Sequence, residues 1–424
     1  MPAFTQPRTA RPALPTLPTL LIGLLLGALS SSAWAVDFVT SDRTLANGNP
    51  MNASYSGQAV LVGASGIFDG NVTRVADVKV DIVAPALLNF SDATGGYLAA
   101  YSNSLVRMQG GSAGTTSSFN NVARFSLFDT SQFELTGGSL AGVTLNGAAP
   151  GAAGARATLA GGVMQSFSGS VAHVTNGTLN VTGGLIAATG GNFQPGIQGD
   201  QGSVINVSGG TVQSASSAAA YIQANSVFSM TGGTLTGGSG GGAQWGLRLQ
   251  GSTASASLRG GAVNGGVLAE AALNQTPLQA TLGGNLAVNG GVFAYGNAAL
   301  NVTGGSYTRF AGADASFFAM GSNTINFFGT DLALSAPVVG SVFETNTYTG
   351  NFYTFTGGTF SDGQSAFGLR LFDALAVAGN PLGGGFTLNP PAPVPEPATA
   401  LLLLLSLPAM AALARRRANN RSTR

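Results

Sequence analysis

Side chains able to act as acid, base or nucleophile are few in this sequence and widely spaced. The 424 residues include no Cys, one His and 16 acids, and only 8% of the chain is charged. Without Cys there is no disulfide framework, no thiolate metal site and no Cys nucleophile. His173 has no acid nearer in sequence than Glu134 or Asp200, so it is expected as a lone side chain rather than a member of a triad or metal site. Asp77, Lys79 and Asp81 fall on one face of an expected strand, with Val78, Val80 and Ile82 on the other. Residues four apart on a strand lie about 13 Å apart, beyond the roughly 5–9.5 Å between the two carboxyls of a glycosidase. That face is therefore expected to be solvated. Arg156, Arg248 and Arg259 have the donor geometry for a uronate, but they read first as surface cations. Gly237, Gly238, Gly240, Gly241 and Gly242 lack the strand, helix and Lys context of a phosphate loop. Asn71, Asn176, Asn180, Asn206 and Asn301 stand in Asn-x-Ser/Thr triplets, which chance supplies freely in so polar a chain. No catalytic residue, metal site or cofactor is expected.

The elements that would position these groups are set by a repeat. Gly accounts for 64 residues and hydrophobic residues for 44%, enough apolar material for a core. The octet from Phe133 to Leu140 reads apolar, polar, apolar, small or polar, Gly, Gly, any residue, apolar. It recurs from Ala157, Leu179, Ile205, Phe228, Ala256, Leu300 and Tyr353. Its second apolar position falls at 135, 159, 181, 207, 230 and 258, in steps of 22 to 28. A weaker copy lies at Leu282, and a degenerate one around Ile325 and Phe327. A period of about 24 residues suits one turn of a parallel β-solenoid. Alternation turns Leu179 and Val181 inward and Asn180 outward, and the Gly pair permits the positive φ of a corner. A flexible linker has no reason to keep apolar residues at fixed offsets from each Gly pair. A two-sheet sandwich, the nearer rival, need not place its turns at one spacing. The outward row Glu134, Thr158, Asn180, Asn206, Ser229, Ser257 and Asn301 holds one acid, so it forms no carboxylate cluster. Calcium-binding solenoid repeats need an Asp at fixed offset after the glycines, and none recurs. Residues 36–93 lack Gly pairs and the chain becomes Phe-rich from Ser306; both stretches are expected to cap the coil.

The two ends carry sorting chemistry. Arg8 and Arg11 precede an apolar stretch from Leu17 to Leu29, and the small-x-small triplet Ala33, Trp34, Ala35 follows. This is the order of a signal peptide cleaved after Ala35; the alternative is an uncleaved membrane anchor. At the other end a Pro-rich spacer leads to Val394, Pro395, Glu396 and Pro397, then to an uncharged run from Ala398 to Ala414, then to Arg415, Arg416 and Arg417. The run is at the lower limit for a transmembrane helix, and the Arg cluster would hold the tail on the cytoplasmic side. A plain membrane anchor is the simpler reading. These three ordered parts, about 30 residues of tail, resemble the PEP-CTERM sorting signal. That resemblance implies cutting near Pro-Glu-Pro by an exosortase, a Gram-negative host, and a setting of exopolysaccharide, floc or biofilm matrix. Residues 36–393 carry 15 acidic and 10 basic side chains, a net charge of −5, which argues against nucleic acid as a partner.

The sequence therefore predicts an all-β protein, a parallel β-helix of roughly 24-residue turns with an N-terminal signal helix and a C-terminal transmembrane helix. Residues 1–35 are the signal peptide, 36–93 a β or capping region, 94–389 the solenoid body, and 390–424 the spacer and sorting segment. The expected function is an exported cell-surface or extracellular-matrix protein of structural or adhesive kind. Its expected partners are signal peptidase, an exosortase-type enzyme, exopolysaccharide, and the membrane before processing. The alternative is a polysaccharide-cleaving β-helix enzyme using acids such as Asp314, Asp331 or Asp362.

Overall fold

A computed structural model describes the backbone of the strands between residues 36 and 101 and, apart from short segments, residues 104–374 and 385–390. The expected signal helix, with Ala33 and Ala35, and the expected transmembrane helix, with Val394, Pro395, Glu396, Pro397, Arg415, Arg416 and Arg417, lie outside the described residues. Among the described residues every regular element is a strand, and no helix is long and apolar enough to cross a membrane.

The strands form a parallel β-solenoid, three strands to a turn. In one turn these are Thr178–Val181, Leu185–Ala188 and Ile197–Asp200, after which Val204–Val207 begins the next. Each strand pairs not with its sequence neighbour but with its equivalents one turn away. Thr178–Val181, for instance, lies between Arg156–Leu159 and Val204–Val207. Three columns of parallel strands result, whose backbone groups pair with the turns above and below.

The expected interior row is present. Leu135, Leu159, Val181, Val207, Met230 and Leu258 are successive Cα partners, each at most 1% exposed. The row continues through Leu282, Val302 and Phe327. Beside it runs a second row, Phe133, Ala157, Leu179, Ile205, Phe228 and Ala256.

The two glycines of each corner are needed for different reasons. The second adopts the left-handed conformation, with φ of 73° at Gly162 and 75° at Gly184, where a side chain is strained. It also needs space, since a Cβ on Gly162 or Gly184 would lie 2.8 Å from the carbonyl oxygen of Gly138 or Gly162, whereas the first needs space alone. A Cβ on Gly161 or Gly183 would lie 2.4 Å from the carbonyl oxygen of Thr136 or Ala160 in the previous turn. The step varies at two corners: between the second and third columns the chain passes from Leu140 to Val143 in one turn and from Ala188 to Ile197 in another, and between the third and first columns from Asn146 to Arg156 in one turn and from Thr175 to Thr178 in the next. Loop length there changes without disturbing the register on either side.

Both ends differ from the expectation of simple caps. Within residues 36–93, Val36–Val39, Ala59–Val62 and Lys79–Ile82 pair in parallel in that order and lead into Leu105–Met108. The first column thus extends through a stretch that has no Gly pairs. At the other end Ile325 and Phe327 take their places in the two rows, but the copy expected from Tyr353 to Phe360 does not. It belongs to Thr347–Phe360, a long strand antiparallel to its three neighbours Thr324–Leu334, Val338–Phe343 and Arg370–Ala374. The coil resumes with Arg370–Ala374 in the third column and Gly385–Asn389 in the first. The octet motif matched there because Phe355 also turns into the core, with its ring 5.1 Å from Phe327.

Candidate functional site

The outward row of the first column is the polar ladder read from the sequence, with Thr281 added between Ser257 and Asn301 and Asn326 after it. Asn206 donates to Asn180 at 2.9 Å and Asn326 to Asn301 at 3.0 Å. Glu134 meets Arg107 of the previous turn at 2.8 Å, and Asp81 is in register with Arg107. The acid of this row thus lies beside a cation rather than a second acid. Lys79 and Asp81 stand on one strand as expected, whereas Asp77 lies outside the described residues, as does Asn71.

The third column carries the denser chemistry. Its outward positions read Thr144, His173, Gln198, Tyr221, Arg248 and then Leu268 along one row. The neighbouring row brings Thr175 into register with Asp200, and Gln250 with Glu270. His173 Nε2 lies 2.7 Å from Asp200 Oδ2, and Gln198 donates to the same oxygen at 3.0 Å. The expectation of a lone histidine is therefore corrected. Separation along the chain is a poor guide here, because one turn of coil returns Asp200 to His173's side. Arg248 lies over the Tyr221 ring, 5.1 Å from its centroid, and donates to Glu270 at 3.0 Å. The Tyr221 hydroxyl donates to the Gln250 side-chain carbonyl. The result is one continuous belt of half-buried side chains across five successive turns.

Asp200 and Glu270 stand three strand steps apart, about 14 Å at the inter-strand spacing, too far for a glycosidase pair. Burial raises the Tyr221 hydroxyl above its ordinary pKa, and Glu270 and Asp200 push the same way, while Arg248 opposes them. A tyrosine so shifted is a poor base near neutrality. Among the described residues no group of three His, Asp or Glu could hold a metal.

Of the other predicted residues, Arg156 and Arg259 are exposed at strand positions of the first column. Asp314 is paired with both Arg309 and Arg370. Asp362 accepts the backbone amides of Gly305 at 3.0 Å and Gln364 at 3.1 Å, an anchoring role at the end of the coil. Asp331 is exposed with a φ of 53°. Beyond Arg248 the belt gives way to Leu268, Phe293, Phe318 and Phe372, which form a second apolar cluster with Trp245, Val342 and Phe352. The antiparallel strands supply Val342 and Phe352, so they cover the outside of the third column.

Sequence reading missed the belt, although a signal for it was present. His173, Gln198, Tyr221 and Arg248 recur at the turn spacing, but no glycine pair stands beside them to set their register. Fold and face together define a parallel β-solenoid protein with one amide- and hydroxyl-rich face and one mixed aromatic and charged face. No protein family, no curated protein and no solved structure matches the chain.

Proposed function

We propose that the chain is an exported cell-surface or extracellular-matrix protein of structural or adhesive kind, associated with exopolysaccharide or biofilm and sorted through a PEP-CTERM signal. In this reading signal peptidase removes residues 1–35. The C-terminal segment anchors the protein transiently in the inner membrane until an exosortase-type enzyme cuts near Pro395, Glu396 and Pro397. The observation that carries the adhesive part is the form of the outward faces. The first column presents a long ladder of Thr, Asn and Ser and the third a mixed aromatic and charged row, and the acids of the ladder and belt stand beside basic side chains instead of gathering into a pair. Repeated weak contacts along such columns gain strength through multivalency.

Mass spectrometry of the native protein tests the sorting. Its mature ends are expected after Ala35 and near Glu396, and an intact N-terminus on cytoplasmic material would refute export. Incubation with exopolysaccharide tests the rest, with co-sedimentation and no new reducing ends or unsaturated sugars as the expected outcome. One observation favours a second reading, a polysaccharide-cleaving enzyme: His173 and Asp200 stand in contact on the same face as Tyr221 and Arg248. Product formation lost in His173→Ala would establish that reading and displace the first.

A further inference from the structure

We infer that the outward face of the third column between His173 and Glu270 is a binding site for an uncharged, extended polysaccharide whose chain lies along the axis of the coil. The inference rests on the extracellular reading above and names the partner for one particular face.

Phe193 supplies the first argument. It stands four residues before Ile197–Asp200, at the corner leading into the strand that carries Gln198 and Asp200. Its side chain is 65% exposed and its backbone φ is 49°. A bulky residue is disfavoured in that conformation, and an exposed ring contributes little to folding. Strain and exposure at one residue fit a part in recognition better than one in stability.

The belt supplies the second. Tyr221 contributes an aromatic ring, and Gln198 and Gln250 carry amide donor and acceptor capacity beyond their bonds to Asp200 and Tyr221, a combination that suits a sugar's apolar ring face and its hydroxyls. Each step along the column advances about 4.8 Å, close to the length of one ring in an extended glycan. Successive sugars would therefore meet successive strands.

Charge supplies the third. Arg248 is already paired with Glu270 and His173 with Asp200, so the described residues of this face leave no cation over for a polyanion. The two carboxylates would repel one, as would the net charge of −5 over residues 36–393. A neutral polymer incurs neither penalty.

The test is affinity electrophoresis of the full chain through gels containing a neutral β-glucan, a neutral galactomannan or alginate. Retardation by at least one neutral polymer is expected, little changed by salt and much weaker with alginate. Phe193→Ala is expected to weaken it about fivefold with an unchanged melting temperature, and Tyr221→Ala to weaken it further. Retardation only by alginate, or no retardation at all, would overturn the inference. Binding by the parent that both variants retain would also overturn it and move the glycan to another face, while leaving the matrix reading intact. If Tyr221→Ala does not fold, Phe193→Ala decides alone.

Discussion

Among single residues, Asp373 makes a pH-dependent statement. It is the Cα partner of Ala319 in the third column, one of its carboxyl oxygens is buried without a partner, and burial raises its pKa from 3.8 to about 6. Because the folded value lies above the unfolded one, the fold prefers the protonated acid. The group's stabilising effect is complete below about pH 4 and is lost as pH rises through 6. Asp373→Asn is expected to flatten thermal stability between pH 4 and 7. It should also raise stability at pH 7 by roughly 1 kcal/mol, after discounting for solvent screening of a half-exposed side chain. Melting curves of both proteins across that range check the sign. Leu179 gives a simpler case. It is fully buried between Ala157 and Ile205, so Leu179→Ala should destabilise by about 2–5 kcal/mol through lost transfer energy and the cavity left behind. Denaturant titration measures this directly.

At the scale of the element, the corner and the turn are the units. Gly183→Ala and Gly184→Ala change the same corner by different routes, the first through contact with the Ala160 carbonyl alone and the second through a φ of 75° together with contact at 2.8 Å with the Gly162 carbonyl. Both should destabilise, Gly184→Ala by at least about 1 kcal/mol from conformation alone. Gly184→Asn should be milder than Gly184→Ala, because Asn tolerates that conformation, whereas Gly183→Asn should show no such relief. The ranking of the four melting temperatures separates the two mechanisms. The turn itself is modular, since its contacts run to the turns immediately before and after it. Deleting residues 178–203 removes one whole turn and lets Val204 follow Gly177 in register. That variant should keep the β circular-dichroism spectrum and a cooperative melt, whereas deleting residues 178–190 should abolish both. Legibility differed within the turn. The first column was readable because alternating apolar residues and a Gly pair stand at constant spacing. The small buried residues before it, Ser104, Ser131, Ser203 and Ser226, were equally regular yet carry no hydrophobic signal. The third column was hidden by the variable corner that precedes it.

For the molecule as a whole, stacking has two consequences. It makes one interior out of many weak repeats, so stability follows the number of turns rather than any single contact. It also turns residues spaced by one period into neighbours, which is how His173, Asp200, Tyr221 and Arg248 become a single face. The antiparallel strands between residues 324 and 374 shield the Phe-rich part of that face, from Phe293 to Phe372. Without such cover it would be an exposed apolar patch and a site for association.

The sequence by itself determined the repeat, the interior row from Leu135 to Leu258, the corner glycines and the polar ladder. All of these rest on local alternation and on backbone conformations that few residues tolerate. Only the tertiary structure decided how far the coil runs, that the motif at Tyr353 leaves it for an antiparallel strand, and that the lone histidine has an acid beside it. Those outcomes depend on register between turns. Register is set by hydrogen bonds and packing across distant parts of the chain, and spacing reveals it only where Gly pairs and alternating apolar residues mark each turn.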